Sequence, residues 1–261
     1  MALRIAILGS GSKGNCSLIS DGRTNLLLDA GLNPTVIVKK LSELGLDMSD
    51  IDGMLLTHEH DDHIKAVESL APFTHVYAHP DTLEAVRKKQ KIPLKNEMEI
   101  EEKEFSIGTM DILPFRVSHD AARPFGYVVK DFENKVTYMT DTGYVSKGMM
   151  AAARGSDLVV LESNHDKELL LRGAYPYYLK RRILSDQGHL ANEESALAAF
   201  DLMESGAKRI VLAHLSEQNN LPELAYWTTT NYFTKKGATE KDCRISVASQ
   251  WATTLIDMSQ E

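Results

Sequence analysis

The stretch His58-Glu59-His60-Asp61-Asp62-His63 carries three imidazoles and three carboxylates in six consecutive residues. It comes directly after the short apolar segment 53–57, which has the composition of a buried strand. Protonated imidazoles repel one another and neutral ones gain little from crowding, so three on one turn indicate a metal site. Nitrogen and carboxylate donors suit Zn²⁺, Mn²⁺ or Fe, whereas Ca²⁺ and Mg²⁺ prefer oxygen ligands. The stretch therefore predicts a metal centre at the end of a strand.

Single residues of ligand type follow three other strand-like segments. His119 follows 115–118, Asp141 follows 136–140, and His214 follows 210–213. Six neighbouring residues cannot all surround one ion, so further ligands are expected from distant loops. Each of the three alone is more often an ordinary polar residue at a strand end. Because functional groups gather at strand ends in layered α/β proteins, their common placement favours one shared site.

Strand-like and helix-like segments alternate along the whole chain. Asp21-Gly22 between 17–20 and 25–29 predicts a hairpin, and Asn33-Pro34 predicts the start of a helix that Gly45 ends. Further strands are predicted at 75–78, 105–107, 110–115, 126–129, 136–140, 158–162 and 209–213, and helices at 64–70, 147–154 and 192–204. This α/β pattern predicts two packed β-sheets flanked by helices. Without a repeat or a linker-like stretch, residues 1–261 are expected to form a single domain.

Composition narrows the class of protein. No apolar run approaches the roughly 20 residues that cross a bilayer, and the N-terminus lacks the features of a signal peptide, so no membrane partner and a cytoplasmic location are expected. Cys16 and Cys243 form no CxxC pair, which excludes a disulfide framework. The net charge of −8 argues against a broad electrostatic grip on nucleic acid, but not against a nuclease whose metals supply positive charge.

A glycine-rich loop offers a competing interpretation. Gly9-Ser-Gly-Ser-Lys-Gly14 matches GxGxxG after a strand, and Asp29 lies twenty residues beyond Gly9, as in a dinucleotide-binding site. That site requires a helix to begin at the third glycine. The residues after Gly14 indicate a hairpin instead, which disfavours an oxidoreductase. The loop can still line a site, because glycines let backbone N–H groups approach an anion.

The motif series resembles that of the metallo-β-lactamase superfamily over nearly the whole chain: HxHxDH at 58–63, with Asp29, His119, Asp141 and His214 in order. Longer words resemble the YycJ/WalJ (VicX) family of bacterial exonucleases: GSGSKGN at 9–15, THEHDDHIK at 57–65, VSHD at 117–120, MTDTGY at 139–144, ESNHD at 162–166, KRRILSD at 180–186, GHL at 188–190 and AHLS at 213–216. The resemblance implies an αββα four-layer metallo-β-lactamase fold, with two mixed β-sheets sandwiched between helices. It also implies a 5′-to-3′ DNA exonuclease.

The resemblance further implies two divalent metal ions, Zn or Mn with Fe possible, that activate a hydroxide. One ion would be held by His58, His60 and His119, the other by Asp62, His63 and His214, with Asp141 bridging them. The resemblance also implies a catalytic role for Asp62.

Other residues are expected around the ions. Asp29 either fixes the orientation of a ligand or is only a turn residue before Ala30-Gly31. Ser12, Asn15 and Glu162 lie in the matched words and are candidates for contact with ligands or substrate. His165 is a further candidate, as a partner of a ligand or of a phosphate, and its alternative is a hydrogen-bonded loop histidine.

Two features favour a phosphodiester substrate. Asp141 stands at the bridging position, as in the nucleases and thioesterases of the superfamily, where its best-known lactamases have Cys. His189 resembles the extra histidine of superfamily ribonucleases, which can protonate a leaving alkoxide. A sugar hydroxyl needs such an acid and a thiolate does not. An ordinary loop histidine is the alternative for His189, and structural roles are expected for His75 and His79.

A basic segment, Lys180-Arg181-Arg182, could steer a DNA backbone toward the metals, although such charges are usually a solvated face. Tyr175, Tyr177 and Tyr178 offer stacking surfaces for unpaired bases, or else packing or an interface. DNA is therefore the expected partner, and the oligomeric state stays open. The alternatives are a small-molecule hydrolase of the thioesterase or lactonase type and a non-catalytic regulator. An intact ligand set argues against the regulator.

Overall fold

A computed structural model describes residues 3–90 and 95–258. The strands are β1 Arg4–Gly9, β2 Cys16–Ser20, β3 Asn25–Leu28, β4 Gly53–Leu55, β5 Val76–Ala78, β6 Glu97–Glu99, β7 Phe105–Ile107, β8 Met110–Arg116, β9 Phe125–Lys130, β10 Lys135–Met139, β11 Leu158–Glu162, β12 Arg209–Ala213, β13 Arg244–Val247 and β14 Thr254–Asp257. The α-helices are α1 Pro34–Glu43, α2 Asp61–Ile64, α3 Val67–Leu70, α4 Pro80–Gln90, α5 Lys147–Ala153, α6 Lys167–Arg172, α7 Tyr177–Ile183, α8 Asn192–Glu204 and α9 Pro222–Lys235.

The strands form two sheets that follow the same plan. Sheet 1 has the order β14-β1-β2-β3-β4-β5-β6, and sheet 2 has the order β13-β12-β11-β10-β9-β8-β7. In sheet 1 the pairing is antiparallel from β14 to β3 and parallel from β3 to β6. In sheet 2 it is antiparallel from β7 to β10 and parallel from β10 to β13. Both sheets are therefore mixed, and each changes direction at the strand that leads into an aspartate, Asp29 or Asp141.

Three apolar clusters hold four layers together. The inner faces of the two sheets pack through side chains such as Tyr127 and Val160. The outer face of sheet 1 packs on the first four helices through residues that include Ile37 and Leu83. The outer face of sheet 2 packs on α5, α8 and α9 through residues that include Phe233. The predicted order of helices, sheet, sheet and helices is confirmed, whereas the single domain over 1–261 stays a prediction.

Two short helices, α2 and α3, stand in place of the single helix predicted at 64–70. The first of them begins earlier than predicted. The first, α2, starts at Asp61 directly after His60, so the metal-type residues occupy a strand-to-helix turn. The chain breaks at Ala66, whose N–H donates to the Ala30 carbonyl at 2.7 Å instead of to the preceding turn. This contact ties the turn to the end of β3.

Several elements escaped the sequence analysis: α4, α6, α7, α9, β6, β13 and β14. The expected β-rich middle is interrupted by α4, which begins at Pro80 and buries Leu83 and Val86 on one face. The three-residue spacing of Leu83 and Val86 is a helical signal in the sequence. Cys16 and Cys243 are both free and buried, as expected without a disulfide framework. Among the described residues, no helix is both long and apolar enough to span a bilayer.

Candidate metal centre

The predicted ligands meet at one edge of the two sheets, because each follows the end of a strand. The turn 58–63 follows β4, and His119, Asp141 and His214 come shortly after β8, β10 and β12. Asp29, Asp141 and His214 adopt φ values of 58°, 56° and 55°. Few residues other than glycine tolerate this left-handed region, and such strain collects at functional sites. The backbone thus turns sharply where it presents these side chains.

His58, His60 and His119 form the first donor group, with ligand atoms within 4.8 Å of one another. The Nδ1 atom of His119 lies 3.1 Å from the Gly188 carbonyl and can donate to it, which leaves Nε2 facing His60 Nδ1 at 3.2 Å. His58 places Nδ1 2.9 Å from the Thr57 hydroxyl, while its Nε2 is buried and has no hydrogen-bond partner. Three ring nitrogens therefore converge on one point, where a cation would complete them.

Asp62, His63 and His214 form the second donor group, also within 4.8 Å. His63 Nδ1 donates to Asp29 Oδ2 at 2.7 Å, and His214 Nδ1 lies 2.9 Å from Glu162 Oε1. Each imidazole is thereby oriented so that Nε2 faces Asp62 Oδ2, at 3.7 Å and 3.5 Å respectively. The arrangement matches metal sites in which a carboxylate holds the far nitrogen of a ligand histidine.

Asp141 lies between the two groups. Its Oδ1 is 3.7 Å from His119 Nε2 and its Oδ2 is 3.3 Å from His63 Nε2. The side chain is buried, and Oδ2 has no hydrogen-bond partner. A buried carboxylate oxygen without a donor is costly unless a cation neutralises it. The donor set therefore fits a pair of divalent ions that share this carboxylate.

Electrostatics differ between the two groups. Burial lowers the pKa of His58, His60 and His119, the last to about 4, so these imidazoles are neutral near pH 7. Burial also opposes charge on His214, but Asp141 and its other acidic contacts raise its pKa to about 10. Neutral nitrogens are ready to bind a metal, whereas a metal at His214 must displace a proton.

Two buried carboxylates support the site from behind. Asp29 accepts hydrogen bonds from the Thr57 N–H at 2.8 Å and from the Thr57 hydroxyl, besides His63. Glu162 accepts from the Thr142 N–H at 2.8 Å through Oε2. Burial opposes its charge, but His189 and the hydrogen bonds to its oxygens lower the pKa of Glu162 to about 2. Asp29 thus makes the contacts of an orienting residue rather than those of a simple turn residue.

His189 lies next to both donor groups, with its ring centroid 5.0 Å from that of His119 and 5.3 Å from that of His214. Together with Asp141, Glu162 and His214 it also forms a further set of potential ligand atoms within 4.8 Å of one another. Its Nδ1 lies 2.7 Å from Glu162 Oε1, the same oxygen that contacts His214. Its side chain borders a small cavity of about 220 Å³ over the donor atoms. That cavity is lined by Ser12, His60, Asp62, Asp141, Asn164, Tyr175, Leu179, Arg182, Ile183, His189, His214 and Ser216.

The glycine-rich loop reaches the site through Asn15. Its side-chain oxygen accepts from the Gly11 N–H at 2.8 Å, and its amide nitrogen lies 3.1 Å from His63 Nε2 and 3.4 Å from Asp62 Oδ2. Ser12 lines the cavity. The loop that resembles a phosphate-binding motif in sequence therefore adjoins the second donor group.

Sequence reasoning missed Asn164, Ser216 and Asp120. Asp120 follows His119 in the chain, lies 3.6 Å from His119 Nε2 through Oδ1, and accepts from Arg182 Nη2 at 2.8 Å. Its position directly after a ligand-type histidine was the available signal. Arg182 is thereby anchored at the cavity by a paired contact.

Other predicted residues lie apart from the donor groups. His165 is buried behind Glu162, has no hydrogen-bond partner on either ring nitrogen, and belongs to neither the donor groups nor the cavity lining. Lys180 donates to the carbonyls of Leu171 and Gly173 and so braces the α6–α7 loop. Arg181 is exposed. The basic segment is therefore divided among three different settings.

Comparisons with known proteins agree with this architecture. Residues 24–215 match the family model described as a β-lactamase superfamily domain. The chain is 39% identical over 241 residues to exodeoxyribonuclease YycJ of Bacillus anthracis, with 91% of each chain covered. It is 38% identical over 237 residues to exodeoxyribonuclease WalJ of Streptococcus pneumoniae, with 88% of each covered. The metallo-β-lactamase fold protein YhfI of Bacillus subtilis superposes with a TM-score of 0.75 at 18% identity, covering 98% of this chain and 100% of that one.

Proposed function

Because this chain belongs to the metallo-β-lactamase superfamily, and within it to the family of the proteins named exodeoxyribonuclease YycJ and WalJ, we propose that it is a metal-dependent 5′-to-3′ DNA exonuclease. Membership of this family makes the chain a hydrolase. A phosphodiester substrate is supported by the placement of His189, held by Glu162, beside two donor groups that Asp141 joins.

The metal pair is assigned to the residues that converge. His58, His60 and His119 would hold one ion, and Asp62, His63 and His214 the other, with Asp141 shared. We propose Zn or Mn, with Fe possible, since nitrogen and carboxylate donors suit all three. When bound, two such ions activate water and stabilise charge on a phosphodiester undergoing displacement. Two divalent ions would carry more positive charge than the carboxylates of Asp62 and Asp141 neutralise. The excess attracts a singly charged phosphodiester.

His189 is proposed as the general acid. Because its Nδ1–H donates to Glu162, its Nε2 is the nitrogen available to the cavity. Glu162 is ionised, and its contact with Nδ1 at 2.7 Å fixes the orientation of the His189 ring. A proton held on Nε2 can then pass to the oxygen of the departing sugar hydroxyl. A thiolate leaving group would need no such proton, so this contact favours a phosphodiester over the thioesterase alternative.

The size of the cavity fits the end of a polymer. Its volume of about 220 Å³ is below the 300–1,000 Å³ that is usual for sites that enclose a drug-sized ligand. We propose that a phosphodiester and part of a sugar occupy this cavity, while the rest of the chain extends outward. Arg182, anchored by Asp120 at its rim, is proposed to contact a phosphate. With DNA as the proposed substrate, we propose a cytoplasmic location.

A direct assay tests this function. Metal-analysed protein is incubated with DNA labelled at either the 5′ or the 3′ end, with Mn²⁺ or Zn²⁺, next to a thioester and a chelator control. A 5′ label should appear at once in mononucleotides, while a 3′ label should remain in shortened strands, and chelation should stop both. Faster thioester hydrolysis without DNA degradation would replace the proposal with the small-molecule alternative.

A further inference from the structure

Helix α7 forms one wall of the metal cavity and also has a wide exposed face. Leu179, Arg182 and Ile183 line the cavity together with Tyr175, which lies just before the helix. Ile183 is buried, and Lys180 is tied to carbonyls of the preceding loop. The remaining side chains of the helix, Tyr177, Tyr178 and Arg181, are exposed. They continue the surface that begins at the mouth of the cavity.

The order of these side chains around the helix is regular. At about 100° per residue, the order starting at the cavity is Arg182, Tyr178, Arg181 and Tyr177, within an arc of about 140°. Each ring is therefore next to a guanidinium group. Tyr177 and Tyr178 are 76% and 73% exposed, so their rings are accessible to a ligand. We call these three outer residues, Tyr177, Tyr178 and Arg181, the α7 platform.

Charge distinguishes this surface from the rest of the chain. From Leu169 to Ser185 there are four basic residues and no acidic one, in a protein whose net charge is −8. Arg172 pairs with Glu168 and Arg182 pairs with Asp120. Among the described residues, Arg181 has no ion pair or hydrogen bond. An uncompensated guanidinium between two exposed rings complements a polyanion that carries aromatic bases.

We propose that the α7 platform binds unpaired nucleotides next to the phosphodiester being cleaved. Bases stack on exposed tyrosines irrespective of sequence, and arginine between them contacts the backbone. Bases inside a duplex are already stacked on each other and offer no free face, so the platform selects a single-stranded or frayed end. This inference deepens the proposed function and rests on it. A protein partner is the competing occupant, and the experiment below separates the two.

The test measures binding of a fluorescent single-stranded 20-mer and of the matching blunt duplex by the metal-loaded protein. Tyr177→Ala and Tyr178→Ala should each weaken single-strand binding by about 5- to 150-fold, the range that corresponds to ~1–3 kcal/mol per stacked base. Tyr→Phe at either position should restore binding. The matched control is Trp227→Ala, which removes an aromatic ring that is 61% exposed on α9, a helix that contributes no residue to the cavity lining. It should bind like the wild type.

Arg181→Gln tests the electrostatic contribution separately. Removal of one phosphate contact should reduce the slope of log Kd against log salt by about 0.7 for a single strand. Hydrolysis of bis(p-nitrophenyl) phosphate, a phosphodiester too small to extend from the cavity to the α7 platform, is measured in parallel as a report on the metal centre alone.

The outcomes separate the platform from the function. Single-strand binding within twofold of the wild type in both tyrosine variants overturns the platform, as does an equal loss for duplex. A change in oligomeric state without a change in DNA binding overturns it in favour of a protein interface. If the wild type binds single strands through the tyrosines but cleaves neither DNA nor the small diester, the exonuclease proposal fails and the platform stands.

Discussion

The two sheets share one backbone plan but differ in the chemistry at its centre. Asp29 follows β3 and Asp141 follows β10, the strands at which each sheet turns from antiparallel to parallel pairing. Both aspartates have left-handed backbone angles, 58° and 56°. The carboxylate of Asp29 is engaged with Thr57 and His63, whereas Asp141 leaves Oδ2 without a donor. Asp29 thus orients a proposed metal ligand, His63, whereas Asp141 is available to bind a metal itself.

The glycines that follow these aspartates have equivalent positions and the same packing role in the two sheets. Gly31 and Gly143 each stand two residues beyond the aspartate. A Cβ at Gly31 would lie 1.6 Å from the Asp62 carbonyl oxygen, and one at Gly143 would lie 2.3 Å from that of Asp186. Both glycines therefore allow a neighbouring turn to press against the strand end. In sheet 1 that turn carries ligands, and in sheet 2 it lies between Arg182 and His189.

The next strand of each sheet completes the contrast. In sheet 1, β4 delivers the donor turn 58–63, and in sheet 2, β11 ends in Glu162. One oxygen of Glu162 contacts both His214 and His189. In the proposed site the first half therefore has one task, which is to hold metal. The second half has two, because a single carboxylate orients a proposed ligand and the proposed acid.

The largest effect is expected from the bridging position. Asp141→Asn removes the charge that both donor groups share and should lower turnover about a thousandfold or more, since a metal contributes several kcal/mol of transition-state stabilisation and each 1.36 kcal/mol is tenfold. Metal analysis should show the loss of at least one ion. Asp201→Asn, an exposed aspartate on α8, is the control. Full metal content with full activity would contradict the bridging assignment.

The second-largest effect is expected at His189, where a substitution should slow the chemical step without removing metal. His189→Ala should slow phosphodiester cleavage by about 10²- to 10⁴-fold, the usual contribution of a general acid, while metal content stays at the wild-type level. The loss should be much smaller for bis(p-nitrophenyl) phosphate, because p-nitrophenolate departs without a proton. Kinetics on DNA and on this diester supply the measurement. An equal loss on both substrates would mean that His189 does not protonate the leaving group.

Much of this arrangement could be predicted from the sequence, because it depends on local patterns. Alternating apolar residues gave the strands, and ligand-type residues stood directly after them, as at His119 and His214. The turn 58–63 was dense enough to predict a metal centre without any other residue. The four layers followed from the order of strands and helices, together with the resemblance to a known superfamily.

Long-range geometry accounts for what the sequence did not reveal. Nothing local indicates that Glu162 reaches both His189 and His214, which are 27 and 52 positions away. Helix α7 was missed because Tyr-Tyr-Leu-Lys-Arg-Arg-Ile has one buried residue, so it lacks an apolar stripe. The basic segment likewise could not be divided by inspection. The three residues differ only in the folded chain. There Lys180 donates to backbone carbonyls, Arg182 lines the cavity and Arg181 is exposed to solvent.

The smallest effects are expected at Asp29 and Glu162, the carboxylates that orient the proposed ligands. They test the difference between the two sheets directly. Asp29→Asn and Glu162→Gln should each cost roughly 10- to 100-fold in metal affinity or activity, as is usual for residues that hold a ligand from behind. The signatures should differ. Activity of Asp29→Asn should return as metal concentration rises, because Asp29 serves His63 and its neighbours alone. Activity of Glu162→Gln should return only in part.

The part of the Glu162→Gln defect that metal does not restore identifies the second task of Glu162. If that residual reflects a misplaced His189, it should vanish when Glu162→Gln is made in a His189→Ala background, since neighbours that act together are not additive. Asp29→Asn should have the same effect in either background. The four variants and both parents are compared by DNA cleavage across a metal titration. Complete rescue of Glu162→Gln by metal would mean that Glu162 acts through His214 only, and the two halves would then be alike in task as well as in backbone.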